Sequence, residues 1–282
     1  MSEKPMPGRT DAGTVYELTG PEQAPAVVLI HGLGLNRHVW QAHEPALADR
    51  YRLLNYDLFG HGDSAPPPAT PSLSLFAEQL RDLLDDLAIK RCAIVGFSLG
   101  GMINRRFAMD NPGRVSALAI LNSPHERGPE AQKLVEERAA QSAKGGPAAT
   151  LDATIERWFT PGFRAAQPNV IAQIGEWVLA NDPVIFAQCR QVLATGVLEL
   201  IHPDPPIALP TQVITCENDS GSTPAMSHAI TAEISGAQTV IIPHLQHMGL
   251  VEEPSRFTEP VLRFLDEALD VEAPEGKSAS PE

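Results

Sequence analysis

The sequence predicts an α/β fold: a mostly parallel, doubly wound sheet with a helical cap inserted in the second half of the chain. Three observations carry this. First, short apolar runs recur at 26–30 (AVVLI), 52–56 (RLLNY), 92–96 (CAIVG), 117–121 (ALAIL), 212–216 (QVITC) and 239–242 (TVII). Runs this short, without polar alternation, suit strands covered on both faces. Second, amphipathic segments lie between them. Leu73, Phe76, Leu80, Leu83, Leu84 and Leu87 fall at helical spacing in 73–88, and 99–110 and 256–268 read similarly. Third, the rhythm stops after 121 and resumes near 212. The intervening stretch is helical in character, is punctuated by Gly145-Gly146-Pro147, Pro161-Gly162 and Asn181-Asp182-Pro183, and holds Trp158, Phe159, Phe163, Trp177 and Phe186. The expected division is a core of 14–124 and 207–268, a cap of 125–206, and flexible tails at 1–13 and 269–282.

Composition bounds what such a protein does. The 282 residues are 43% hydrophobic and 20% charged, and the formal net charge is −14. A chain of this length buries a full core without disulfides or metals. The acidic balance disfavours nucleic acid and anionic lipid as partners. The cysteines, Cys92, Cys189 and Cys216, are odd in number and widely spaced, with no CxxC pair. That argues against a disulfide framework or a zinc site and for a reducing, cytoplasmic setting. The opening MSEKPMPGRTDAG has no apolar run after its lysine, and no stretch approaches a membrane span. No cofactor is expected, and homo-oligomerisation is left open.

The chemistry concentrates at strand ends. Gly96-Phe97-Ser98-Leu99-Gly100-Gly101 follows the run at 92–96 and opens a helical segment. G-x-S-x-G in that context forces the serine onto a sharp turn with its hydroxyl exposed, beside the N–H groups of a helix start. Ser98 is therefore the expected nucleophile. His31-Gly32-Leu33-Gly34 follows the run at 26–30, where a glycine-rich loop can aim an N–H at a developing oxyanion. The expected donors are the N–H groups of Leu33 and Leu99, with His31 holding the loop. His61, in the Asp57–Ser64 loop, precedes the nucleophile and is assigned a structural place.

An acid and a base should come later in the chain, in that order. Leu121-Asn122-Ser123 offers no carboxylate, whereas Cys216-Glu217-Asn218-Asp219 offers two, and Asp219 is preferred over Glu217. After the last strand His244 and His247 compete. His247 is preferred because His247-Met248-Gly249-Leu250 leads into the final helix. The resulting reading has His247 as general base toward Ser98 and Asp219 fixing its tautomer.

Together these motifs resemble the α/β-hydrolase superfamily over roughly residues 14–268. The resemblance includes the Glu five and the Pro seven residues after the histidine (Glu252, Pro254) and a Thr-Pro after the acid (Thr223-Pro224). A narrower resemblance is to 3-oxoadipate enol-lactonases and related carboxylesterases. It rests on Gly-Phe-Ser-Leu-Gly-Gly-Met at 96–102 and Arg157-Trp158-Phe159-Thr160-Pro161-Gly162-Phe163. The chain departs from those enzymes at Ala194-Thr195-Gly196-Val197, which lacks the polar, charged residues they carry there.

The resemblance implies a serine hydrolase acting on a small ester or lactone through an acyl-enzyme, with Trp158, Phe159 and Phe163 as candidate pocket residues. A lactone carrying a carboxylate would need a local cation, for which Arg37, Arg127, Arg157, Arg164 and Arg190 are available. Three alternatives share the triad. A C–C bond hydrolase is disfavoured by Met248, where those relatives carry tryptophan. Cofactor-free perhydrolase or haloperoxidase chemistry is a side reaction of the same groups. A ligand receptor on this fold differs by lacking turnover.

Overall fold

A computed structural model describes residues 6–271. Eight strands form one sheet: β1 (Gly8–Arg9), β2 (Val15–Thr19), β3 (Ala26–Ile30), β4 (Arg52–Tyr56), β5 (Cys92–Phe97), β6 (Val115–Leu121), β7 (Thr211–Cys216) and β8 (Gln238–Ile242). Their order is β1-β2-β4-β3-β5-β6-β7-β8. The β1–β2 and β2–β4 pairs are antiparallel and all others parallel. The six later strands coincide with the six apolar runs to within two residues. The two antiparallel strands were not legible, and they correct the expected N-terminal tail. The part of 1–13 that is described is not a tail: Gly8 pairs with Tyr16 and Arg9 with Val15, and a tight turn bonds Gly13 N–H to the Thr10 carbonyl at 2.9 Å. Residues 1–5, and 272–282 of the expected C-terminal tail, lie outside the described residues.

Eleven α-helices cover the described sheet: α1 (Glu44–Ala48), α2 (Leu73–Asp86), α3 (Leu99–Asp110), α4 (Pro129–Gly145), α5 (Leu151–Trp158), α6 (Pro161–Ala166), α7 (Pro168–Leu179), α8 (Pro183–Thr195), α9 (Pro224–Glu233), α10 (Gly249–Glu252) and α11 (Ser255–Ala268). Among the described residues no helix is long and apolar enough to cross a membrane. Helix α2 starts where the Ser72 hydroxyl accepts from Leu75 N–H, and it buries Leu73, Phe76, Leu80, Leu83 and Leu84 on one face. The central strands β3, β5 and β6 are buried almost throughout, which explains their unbroken apolar runs.

Helices α4 to α8 all fall between β6 and β7. Specific hydrogen bonds tie them to the sheet side. Asn181 Nδ2 donates to the Gly34 carbonyl at 3.1 Å, Met248 N–H donates to the Trp158 carbonyl at 2.9 Å, and Glu252 accepts from the Thr160 N–H and hydroxyl at 2.8 and 2.6 Å.

Chain order places the functional turn between β5 and α3, where strand and helix almost touch. A Cβ on Gly96 would sit 2.2 Å from the Gly100 carbonyl oxygen, and one on Gly100 would sit 2.3 Å from that of Ile30. Both obstacles are backbone, so neither can step aside. Gly100→Ala is therefore expected to cost about 1–3 kcal/mol as an overpacking change. That corresponds to a melting point lower by roughly 2–4 °C per kcal/mol for a domain of this size. Gly113→Ala, where a Cβ meets nothing within 4 Å, serves as the control and should melt like the parent. Equal melting points for the two variants would show that the turn can relax.

A buried histidine joins α1 to the C-terminal helices. His43 Nε2 donates to the Leu250 carbonyl at 3.0 Å, and Nδ1 meets the Thr258 hydroxyl at 2.7 Å. Burial lowers its pKa to about 4. The unfolded chain takes up a proton near 6.5. The neutral ring thus stabilises the fold fully above that value, and the contribution falls away as pH drops from about 6.5 toward 4. Urea melts at pH 7.5, 6.0 and 5.0 should show falling stability, and His43→Gln should flatten part of the slope. An unchanged slope would mean that His43 does not titrate in this window.

Candidate active site

Ser98 occupies the turn at φ 56° and ψ −112°, a left-handed conformation that a non-glycine residue adopts only when its surroundings impose it. Its N–H donates to the Leu121 carbonyl at 2.8 Å, and its carbonyl accepts from Gly101 N–H at 3.0 Å. The hydroxyl is thereby presented at the start of α3. His247 Nε2 lies 3.2 Å from Ser98 Oγ, and His247 Nδ1 lies 2.6 Å from Asp219 Oδ2. The carboxylate oxygen can only accept, so the imidazole carries its proton on Nδ1 and turns the lone pair of Nε2 to the serine. All three side chains are buried.

Asp219 is saturated with donors. Oδ1 accepts from the N–H groups of Gly221 and Ser222 at 2.8 and 3.0 Å. Oδ2 accepts from Asn122 Nδ2 at 2.9 Å as well as from His247. Burial by itself would raise the Asp219 pKa, but the charge and hydrogen bond of His247, then Asn122 and Ser222, hold it below the ordinary carboxylate value. The acid therefore stays ionised beside the imidazole. Asn122 was missed in the sequence, where 121–123 was set aside for want of a carboxylate. Its signal was positional: it ends the strand next to the nucleophile strand, and it sits at φ 45°.

The two competitors at the same strand ends do not enter the site. Glu217 accepts from His244 N–H at 2.9 Å, and His244 is exposed. His61 is fully buried, donates from Nδ1 to the Phe59 carbonyl at 3.2 Å, and is held neutral by burial, with a pKa of about 3.

The loop after β3 faces the serine. His31 Nδ1 donates to the Gly32 carbonyl at 2.8 Å, and His31 Nε2 accepts from Leu58 N–H at 3.0 Å. Burial holds this ring neutral, at about 4. It therefore works as a fixed strut between two loops. Among the described residues nothing accepts from the N–H of Leu33 or Leu99.

Ser98 and His247 open into a cavity of about 280 Å³ that is bounded by Leu33, Phe97, Trp158, Val178, Phe186 and Met226, among others. Trp158 is one wall, its ring 6.0 Å from that of His247. Phe159 and Phe163 correct the sequence reading, because neither lines the cavity. The chain leaves α5 at Phe159 in extended conformation, which turns that ring into the core, where it stacks on Phe163 at 5.5 Å. Two of the five candidate arginines also lie elsewhere. Arg37 is buried against Asp57, Glu17 and Asp63, and Arg164 does not reach the cavity wall. Arg127, Arg157 and Arg190 do line it, joined by Arg138, which the sequence reading did not single out. Among the described residues no cluster of side chains suited to a metal ion occurs.

The RutD protein of Stutzerimonas stutzeri, named for carbamate hydrolysis, is 29% identical over 255 residues, covering 89% of this chain and 96% of that one. The 3-oxoadipate enol-lactonase 2 of Acinetobacter baylyi is 27% identical over 252 residues, covering 89% and 92%. The crystal structure of the enol-lactonase from Burkholderia xenovorans LB400 superposes with a TM-score of 0.82 at 28% identity, covering 89% and 96%. The model of the alpha/beta hydrolase family matches residues 27–259. This chain is a hydrolase of the alpha/beta hydrolase family, with enol-lactonases among its relatives.

Proposed function

We propose that this protein cleaves a small ester or lactone through an acyl-enzyme on Ser98. The observation that carries the proposal is the continuous hydrogen-bonded line Asp219–His247–Ser98, ending at a cavity of small-ligand size. In the first step Ser98 Oγ attacks the carbonyl carbon while His247 Nε2 takes the hydroxyl proton. The carbonyl oxygen becomes an oxyanion beside the N–H groups of Leu33 and Leu99, which need no reorganisation to receive it. As the carbon–oxygen bond to the leaving group breaks, His247 returns the proton to the departing alkoxide. In a lactone the alkoxide stays attached and the ring opens. Water then attacks the acyl-enzyme, giving its proton to His247, and collapse frees the acid and restores the Ser98 hydroxyl. Asp219 remains ionised and stabilises the imidazolium in both halves.

The segment 125–206 acts in this reading as the cap that roofs the cavity, and Trp158 sets one edge of the acyl slot. Asn122 is a positioning residue acting through Asp219. Relatives named for lactone and for carbamate hydrolysis agree with attack at an acyl carbon and differ in the leaving group. Turnover across esters, lactones and carbamates decides that point.

Ser98→Ala is expected to fold normally and to lose turnover by about a millionfold, as for nucleophile loss in other triads. A fluorophosphonate should leave one adduct, on Ser98, when the labelled protein is digested and weighed. An adduct elsewhere, or an active Ser98→Ala protein, would sink the assignment.

Substitutions separate the competitors for base and acid support. His247→Ala should abolish activity, whereas His244→Ala should leave kcat within roughly twofold, as expected of a surface change. Asn122→Ala should lower kcat about tenfold with little change in KM, since losing one donor to a buried charge costs about 1–3 kcal/mol. Steady-state kinetics on one chromogenic ester checks all three. Loss of activity in His244→Ala alone would move the base to the other histidine.

A further inference from the structure

Four guanidinium groups reach the wall of the Ser98 cavity from separate parts of the chain between β6 and β7. Arg127 comes from the segment after β6, Arg138 from α4, Arg157 from α5 and Arg190 from α8. The protein has 35 acidic residues, and other arginines find partners among them. Arg37, Arg50, Arg106 and Arg114 each pair with a carboxylate. Among the described residues no carboxylate forms an ion pair with any of the four cavity arginines. The acid acting on them through space is Asp219 on Arg157, and its oxygens are occupied by His247, Asn122 and two backbone N–H groups.

Arg190 shows the imbalance best. It is 8% exposed, its Nε has no partner, and its guanidinium carbon lies 5.4 Å from the centre of the Phe186 ring. Among the described residues Arg127 has only two long bonds to backbone carbonyls, at 3.3 and 3.4 Å. Burial, then the neighbouring Arg157, lowers the Arg127 pKa to about 10. Burial, then Arg157 and Arg138, does the same to Arg190. Cations withdrawn from water without a counter-charge are costly to maintain. A guanidinium fork is the side chain best matched to a carboxylate or phosphate.

We propose that the part of the substrate lying against α4, α5 and α8 carries two negative charges, as two carboxylates or one phosphate group. This rests on the reading of Ser98 as nucleophile for the bond that is cleaved, but not for the binding itself. One carboxylate occupies one fork, whereas four cations line this wall and, among the described residues, none of them is ion-paired to the protein. The cavity of about 280 Å³ lies at the lower end of small-ligand pockets, so the dianion is a small molecule. Leu33, Phe97 and Trp158 supply apolar wall beside these charges.

Calorimetric titration of the full chain with succinate, glutarate, inorganic phosphate and butyrate, at matched ionic strength, tests this without turnover. At least one dianion is expected to bind tenfold or more tightly than butyrate. Succinate or glutarate in that place identifies two carboxylates, and phosphate identifies a phosphoryl group. Arg190→Gln and Arg157→Gln should each weaken the preferred dianion at least tenfold. Arg138→Gln, at an exposed position, removes a charge without touching the core and should weaken it severalfold. Circular dichroism and melting curves verify that the variants fold. Dianions no tighter than butyrate, or a preference unmoved by all three substitutions, would overturn the proposal. A failed ester assay alongside intact dianion preference would instead count against the hydrolytic reading alone.

Discussion

The contact between β5 and α3 is the constraint on which the site depends. Gly96 and Gly100 bring strand and helix so close that the residue between them has no room for an ordinary backbone conformation. Ser98 is pushed to positive φ, and its hydroxyl leaves the sheet edge instead of folding back into the helix. The same approach puts Leu99 N–H at the first position of α3, where a helix leaves its N–H groups unpaired. One local strain thus yields both an accessible oxygen and a donor beside it. The parallel neighbours β3 and β6 pin the strand on either side.

Around that turn the remaining parts are fixed by saturation. Asp219 accepts four hydrogen bonds, and with neither oxygen left over it cannot rotate away from the imidazole. His31 uses both ring nitrogens to tie the loop after β3 to the loop after β4. The side chains that would do chemistry are thereby oriented by neighbours that would not, an arrangement that keeps reacting atoms aligned between turnovers.

Much of this was legible in the sequence because it depends on local pattern. Six strands were visible as apolar runs since burial on both faces demands them, and the G-x-S-x-G spacing marked the turn. The order of Ser98, Asp219 and His247 along the chain singled out three side chains that the fold brings within hydrogen-bond distance. What could not be read depends on long-range geometry. Strand β2, with the sequence VYELT, alternates buried with partly exposed positions at an antiparallel edge, so it never forms an apolar run. Asn122 looked inert because its partner lies 97 residues away. Phe159 and Phe163 carried the same apolar signal as Trp158, and only the direction of the backbone after α5 separates a wall from a core. Arg138 sits among charged residues of an exposed helix, and nothing local distinguishes it from its neighbours.

The bonds that join Met248 to Trp158 and Glu252 to Thr160 flank the imidazole-bearing loop on its C-terminal side. They make the end of α5 and the segment carrying His247 a single mechanical piece. Helices α4 and α8 pack on each other. The wall formed by Trp158 is held to the His247 segment by backbone and side-chain bonds, and Arg157, one residue before it in α5, shares that attachment.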